Sequence, residues 1–331
     1  MTPIIKENSL LNSIVKPVLN IISIPSVGPF VALLLAGAFF YSQNPRFIQT
    51  SNLSLILQQT SWIAALAIGQ TLVILTSGID LSNGLVMALG SVIMTKMAVV
   101  NGVDPVVAIA IGFVVIMAFG LLNGLLVTQL RLPPFIVTLG TLNIAFAMTR
   151  IYSTVTINGL PPIQRFFGER IDLFGTGFTY GSLFVFVLYI VMWFVLRETA
   201  FGRHIYAVGD DPEAARLMGV PVKRVLIQVY VLAGFFYAIA GWLLIGRIGS
   251  GDPNAGQTAN LDSITAVVIG GTSLFGGRGN MFGTLVGALI VGVFINGLQI
   301  TGVDPLYQRL ITGVLVILAV AFDRLVSKKA S

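Results

Sequence analysis

Side chains able to do chemistry are few in this 331-residue chain, and their types exclude most reactions. There is no cysteine, so disulfides, thiolate nucleophiles and sulfur-ligated metals are ruled out. A single histidine, His204, cannot build a multi-histidine metal site and reads as a loop hydrogen-bonding residue. No Gly-x-x-x-x-Gly-Lys-[Ser/Thr] stretch occurs, so the loop that cradles nucleotide phosphates is missing. No apolar run carries paired carboxylates for acid–base work, and Asp80 and Asp262 are expected at span ends. A catalytic set is therefore not expected. What remains is a group of neutral amides in apolar surroundings: Gln58, Gln59, Gln70, Asn123, Asn143 and Asn296. Amides can hydrogen-bond an uncharged polar solute without trapping it by charge. They can equally tie helices together, at about 0.6–2 kcal/mol per bond.

The elements that must position these groups follow from composition. Apolar residues make up 56% of the chain and charged residues only 10%, with a mean hydropathy of +0.93. Counted with glycine instead of tyrosine, the apolar share is roughly 65%, against about 45–50% in a soluble domain. Charged residues should be about 25% of a soluble domain. So few charges cannot coat a soluble surface, which excludes a soluble enzyme, a disordered tail and a nucleic-acid binder. The net charge of +6 records orientation in a membrane, since the Lys and Arg residues cluster at segment ends.

A helix needs about 20 apolar residues to cross the hydrocarbon core. Ten runs qualify as candidates: 27–42, 53–76, 84–101, 105–128, 133–151, 178–197, 225–248, 261–277, 281–300 and 305–323. The fold class expected is an all-α polytopic helix bundle. Run 261–277 is the weakest, because Gly270, Gly271, Gly276 and Gly277 interrupt it, and a broken or re-entrant span is possible there. Lys96 lies deepest among the charges and is expected to snorkel to the interface; Trp62, Trp193 and Trp242 suit interfacial anchoring or packing.

Positive charge sets direction. Lys6 and Lys16 near the start, Arg203, Arg216, Lys223 and Arg224 in the connection 198–224, and Arg324, Lys328 and Lys329 at the end all belong on the cytoplasmic side. Ten crossings satisfy that. The segments expected are a cytoplasmic stretch 1–26 without a cleavable signal, a membrane domain 27–323 and a cytoplasmic tail 324–331. A faint repeat relates Gly120-Leu-Leu-Asn123-Gly124-Leu125 to Gly292-Val-Phe-Ile-Asn296-Gly297-Leu298. It would match spans 2–5 with spans 7–10. A displacement of five reverses direction, giving an inverted repeat.

One cytoplasmic stretch looks built to meet a partner. In Gly209-Asp-Asp-Pro-Glu-Ala-Ala-Arg-Leu-Met-Gly-Val-Pro221, Asp211 suits an N-cap and Pro212 the first helical position. Glu213 complements the helix dipole, Gly219 suits a C′ position and Pro221 forbids resumption. A two-turn helix from Pro212 to Met218 is predicted. So short a helix is marginal in water unless something packs on it.

The loop Gly209 to Val220 is similar to the coupling loop of bacterial ABC importer permeases. Three further stretches resemble the ribose, fructose and xylose branch of that family. They are Gly69-Gln70-Thr71 with Gly78-Ile79-Asp80-Leu81-Ser82; Leu132-Pro133-Pro134-Phe135-Ile136-Val137-Thr138-Leu139-Gly140; and Ala266-Val-Val-Ile-Gly-Gly-Thr-Ser-Leu-Phe-Gly-Gly-Arg-Gly-Asn-Met-Phe-Gly-Thr-Leu-Val-Gly-Ala288. Together they cover nearly the whole chain in the expected order. Asn83 and Leu85 depart from the family's usual Val and Ser, which leaves the choice of sugar open.

The resemblance implies an inner-membrane permease that works as a homodimer and carries no cofactor of its own. ATP and Mg would sit on a cytoplasmic ATP-binding subunit, and a periplasmic or lipid-anchored sugar-binding protein would deliver solute. Asp211, Pro212, Glu213, Ala214, Ala215, Arg216 and Gly219 would form the coupling helix; the six amides, read from residue type rather than from the resemblance, are the candidates for the path. From the residues alone, a gradient-driven secondary transporter and a passive channel stay open, as do nucleosides, signalling sugars and branched-chain amino acids as solutes.

Overall fold

The computed structural model describes residues 27–173 and 176–308, with 310, 311, 313, 314 and 317 beyond them. Most of the run 305–323 and the expected terminal segments 1–26 and 324–331 lie outside the described residues. The described chain is helical almost throughout. Its helices are α1 (Val27–Gln43), α2 (Thr50–Leu75), α3 (Asn83–Val99), α4 (Pro105–Gln129), α5 (Pro134–Tyr152), the short α6 (Pro162–Arg165), α7 (Tyr180–Glu198), α8 (Ala200–Asp210), α9 (Pro212–Leu217), α10 (Val222–Ile248), α11 (Ala259–Ile269) and α12 (Met281–Ile300). Helix starts are written locally. Asp104 accepts hydrogen bonds from the amides of Val106 and Val107 ahead of Pro105, and Thr179 forms a capping box with Ser182.

Among the described residues, five helices are long and apolar enough to cross a membrane: α4, α5, α7, α10 and α12. Only 28–33% of the best window is buried in α4, α5 and α7, against 78% in α10. The first three therefore form an outer wall, and α10 is a central helix. It packs against α4 and α2, and α2 is buried along most of its 26 residues. At Gly120 in α4 a Cβ would stand 2.3 Å from the Tyr230 carbonyl oxygen, so only glycine permits the α4–α10 approach.

Two features depart from the sequence-based expectation. The connection 152–177 holds a small antiparallel hairpin, β1 (Arg170–Leu173) with β2 (Thr176–Thr179), in addition to helical turns. The connection 198–224 holds two helices rather than one, because α8 precedes α9. Sequence propensity undervalues α8, whose Gly202 and Gly209 both weaken a helix in isolation. It forms because Ile205 and Val208 are buried and Thr199 caps it.

Run 261–277 is not a continuous helix. Its 11-residue helix α11 rises about 16 Å, half of a ~30 Å core. The loop after it has positive φ at Gly271, Gly276, Gly277 and Gly279, a backbone that side-chain-bearing residues rarely adopt. The broken-span alternative is therefore the one observed.

Two interrupted elements meet inside the bundle. Helix α3 starts after the irregular segment 76–82, and α11 starts after the irregular segment 249–258. Their N-terminal turns touch: a Cβ on Gly84 would lie 2.6 Å from Gly256 O and 3.0 Å from the Ala259 side chain. At the α8–α9 end of the bundle, Gly209 meets the last turn of α2 and the glycine loop before α12.

Candidate coupling helix and intramembrane polar seam

Helix α9 has the caps its sequence predicts. Asp211 is the N-cap, with φ −150°, and its Oδ1 accepts from the Glu213 amide at 2.9 Å and the Ala214 amide at 3.0 Å. Pro212 occupies the first helical position. At the other end Gly219 has φ +86°, and the Val220 amide donates back to Ala215 O at 3.0 Å. Arg216 Nε donates to Glu213 Oε2 at 3.2 Å. That bond and the charge behind it hold the Glu213 carboxyl below its usual range and raise the Arg216 guanidinium.

Ala215 is the buried anchor of the helix. Its neighbours face the other way: Leu217 is 76% exposed and Met218 is 86% exposed. Two adjacent apolar side chains thus stand exposed on a doubly capped turn. The sequence reading did not single out either residue. The available signal was an apolar pair in a two-turn helix whose single buried position was already taken by alanine.

Behind α9 the contacts run into the bundle. Ser77 Oγ lies 2.8 Å from Gly209 O and 2.8 Å from Phe275 O, and the Gly277 amide donates to Leu75 O at 3.0 Å. A Cβ on Gly209 would sit 1.8 Å from Leu75 O, so glycine is required there. Tyr206 of α8 donates its hydroxyl to Gly279 O at 2.8 Å. Ser77 itself has φ +61°, a strained value for a residue with a Cβ.

From Ser77 the segment 76–82 leads to a buried polar seam. Asp80 Oδ1 accepts from the Ser82 amide at 2.8 Å and from Ser82 Oγ at 2.6 Å. Asn83 Nδ2 donates to Gln70 Oε1 and to Ser263 Oγ, both at 2.9 Å, which joins α2, α3 and α11. Asn123 Nδ2 donates to Ser82 Oγ at 3.2 Å. Thr71 and Thr284 share a hydroxyl bond of 2.9 Å, and Thr138 Oγ1 donates to Ile79 O at 3.0 Å. The stretches 69–71, 78–82, 132–140 and 266–288, distant in sequence, thus converge on one place.

Asp80 and Asp262 stand at helix starts, as expected, but not at the edges of the bundle. Both are buried, because α3, which Asp80 precedes, and α11, whose first turn holds Asp262, begin inside it. The seam is also incompletely paired. Gln70 Nε2, Asn123 Oδ1 and the hydroxyl of Tyr230 are buried without a hydrogen-bond partner among the described residues. Each such group costs about 1–3 kcal/mol.

Of the six amides read from sequence, Gln70 and Asn123 belong to this seam. Gln59 Nε2 instead donates to Gln299 Oε1 at 3.3 Å, and Asn296 exchanges hydrogen bonds with Asn52 at 2.9 and 3.1 Å. Gln58 points to Gly168 O at 3.5 Å. Asn143 is exposed on the outer face of α5 and donates to Leu139 O of its own helix. Ser82, Asn83, Ser263, Tyr230 and Tyr237 were missed as seam residues. No local pattern marks them, since the interrupted helices bring them together.

Lys96 donates to the Tyr152 carbonyl oxygen, with its ammonium 4.6 Å from the Tyr152 ring centroid, at the end of α5. Trp242 donates to Ile163 O and packs on Phe167 and Phe113. His204 is on α8 rather than in a loop and makes no hydrogen bond to another described residue.

A bundle of apolar helices with interrupted spans and a capped helix at one end defines a multi-pass membrane permease. Residues 52–320 match the family described as branched-chain amino acid transport system / permease component, and the chain belongs to that family. It is 47% identical over 316 residues to the fructose import permease protein of Rhizobium meliloti, covering 93% of this chain and 88% of the relative. It is 40% identical over 303 residues to the ribose import permease protein of Bacillus subtilis, covering 90% and 92%. The galactose/methyl galactoside import permease protein of Salmonella typhimurium is 37% identical over 317 residues, covering 90% and 94%. No solved structure matches.

Proposed function

We propose that this chain is the membrane-spanning permease of an ATP-driven monosaccharide importer in the inner membrane, a transport subunit without chemistry of its own. The observation that carries the reading is α9: a pre-formed helix that exposes Leu217 and Met218 and is tied through Gly209 and Ser77 to the polar seam. A cytoplasmic ATP-binding subunit, holding ATP and Mg, docks on Asp211 to Gly219. A periplasmic or lipid-anchored binding protein delivers sugar to the opposite end. When the nucleotide subunits close, α9 moves, and Ser77 and the glycine loop pass that displacement to the segment 76–82.

In this reading the chain crosses the membrane ten times with both termini cytoplasmic, the domain spans 27–323, and 198–224 is the coupling loop. Spans 2–5 and 7–10 form an inverted repeat, which the meeting of α3 and α11 at their N-terminal turns supports. Two copies form the working unit. Asn143 supports that pairing, because a primary amide on an outer apolar face is poorly placed against lipid. Gln70 and Asn123 serve the sugar path with the unpaired groups of the seam. Gln58, Gln59 and Asn296 stand further along it.

The family description names branched-chain amino acids. A sugar is favoured because the fructose, ribose and galactose permeases share 37–47% identity over most of both chains. Among sugars the ribose, fructose and xylose class is the reading adopted. The test uses proteoliposomes holding the chain with its ATPase and binding protein. Asp211→Pro, or glycine at Glu213, Ala214 and Ala215, is expected to abolish sugar uptake while ATP hydrolysis becomes independent of sugar. Unchanged uptake and unchanged sugar-stimulated hydrolysis would reject the assignment of α9.

A further inference from the structure

A second site lies away from the seam, on the outer surface where α4, α8 and α10 meet. It is a groove of about 790 Å³ whose accessible lining is almost wholly apolar, with Arg224, His204 and Gln228 among the residues around it. Arg224 and His204 stand at its α8–α9 end, with Gln228 deeper and then Ile227, Met117, Val231 and Phe235. The α10 members fall at helical spacing on one face. Arg224 is exposed, and neither it nor His204 or Gln228 is hydrogen-bonded or ion-paired to another described residue. Arg203 and Lys223 are exposed close by in sequence and add to the positive end.

We infer that this groove binds one anionic phospholipid of the leaflet that meets the α8–α9 end. Length supports the assignment. From Arg224 to Phe235 is 11 residues, about 16 Å along the helix, which is half of a ~30 Å hydrocarbon core and so the depth of one leaflet. The order of groups follows a phospholipid from head to tail. Arg224 and His204 meet the phosphate. Gln228, about 6 Å deeper, reaches the ester carbonyls. The apolar remainder takes an acyl chain. A basic pocket between spans on the cytoplasmic side is a recurrent form of lipid-headgroup recognition. The inference needs only that the groove's basic end lies at the membrane surface, and is independent of which solute the chain carries.

The test is native mass spectrometry of the full chain, purified with its partners and stripped of lipid. It is titrated with phosphatidylglycerol and with phosphatidylcholine of identical acyl chains. One phosphatidylglycerol per chain is expected to bind before any phosphatidylcholine, and Arg224→Gln is expected to weaken it roughly fivefold. Inorganic phosphate at millimolar concentration should not displace the lipid. Val231→Trp, which fills the groove, should remove the adduct while thermal unfolding and the oligomeric mass stay unchanged. If Val231→Trp disturbs folding, Arg224→Gln at its exposed position still decides the matter. Equal affinity of wild type and Arg224→Gln for phosphatidylglycerol would overturn the inference. Displacement by phosphate alone would overturn it too, as would loss of the dimer mass in the groove variants, which would make the surface a contact with a second copy.

Discussion

Ser77 Oγ stands 2.8 Å from the Gly209 carbonyl oxygen and 2.8 Å from that of Phe275, so its single O–H, donated to one or the other, ties the end of α2 to segments distant in sequence. It closes the end of α2 against the end of α8 or against the glycine loop ahead of α12. Ser77→Ala removes the bond while keeping the residue's size and its positive φ. A net loss of about 1 kcal/mol in stability is expected. The larger effect expected is on coupling: ATP hydrolysis in reconstituted importer should become less dependent on sugar. A variant with wild-type coupling would show that force reaches the bundle by another route.

Gly209 tests the same junction by crowding it. The nearest atom to an added Cβ is backbone, Leu75 O at 1.8 Å, which no side-chain rotation can relieve. Gly209→Ala should therefore cost about 1–3 kcal/mol or prevent stable insertion. Gly219→Ala is the control. Its φ of +86° makes alanine strained, yet nothing lies within 4 Å of the added carbon. A loss of about 1 kcal/mol is expected there. Detergent-solubilised thermal unfolding ranks the two, and a milder effect at Gly209 would contradict the packing described.

The bundle and the caps of α9 were legible in the sequence because both rest on local signals. Long apolar runs read directly as helices, and Asp211, Pro212 and Gly219 act on backbone within a few residues of themselves. The seam was only half legible. Gln70 and Asn123 stand out as amides in apolar runs, but Ser263 and Tyr237 look ordinary until α11 begins inside the bundle. That start depends on the irregular segment 249–258, which carries no periodic signal. Helix α8 was missed for the opposite reason: local propensity spoke against it, and burial of Ile205 and Val208 prevailed.

Asn83 and Gln70 offer a measurable coupling. Asn83 Nδ2 donates to Gln70 Oε1 at 2.9 Å in a fully buried setting. Asn83→Val strands the Gln70 oxygen and should cost about 1–3 kcal/mol. Gln70→Leu should cost a similar amount. The double variant should cost less than the sum, with a coupling of about 0.5–3 kcal/mol. Strict additivity in a double-mutant cycle of unfolding would show that the pair does not interact.

Leu217 and Met218 should matter for assembly and little for folding, because both project away from their own chain. Leu217→Ser with Met218→Ser is expected to leave thermal unfolding unchanged. It should sharply reduce the amount of ATPase subunit that purifies with the permease. Full retention of that subunit would move the docking surface away from α9.

The absence of cysteine makes the proposed pairing of two copies simple to examine, since any introduced thiol is unique. Asn143 projects from the outer face of α5, next to Gly140, where an added Cβ would meet nothing within 4 Å. That face is flat at Gly140 and carries the apolar Ile136, Leu139 and Phe146, all exposed in the single chain. Close approach of two such faces would bury these side chains and bring the two amides near each other. Asn143→Cys, oxidised in membranes, should then give a disulfide-linked dimer band that reductant abolishes. A cysteine at the exposed Val114 of α4, on a different wall, should not. If Asn143→Cys stayed monomeric while cysteine at Val114 cross-linked, the two copies would meet through α4 and the proposed role of Asn143 would fall.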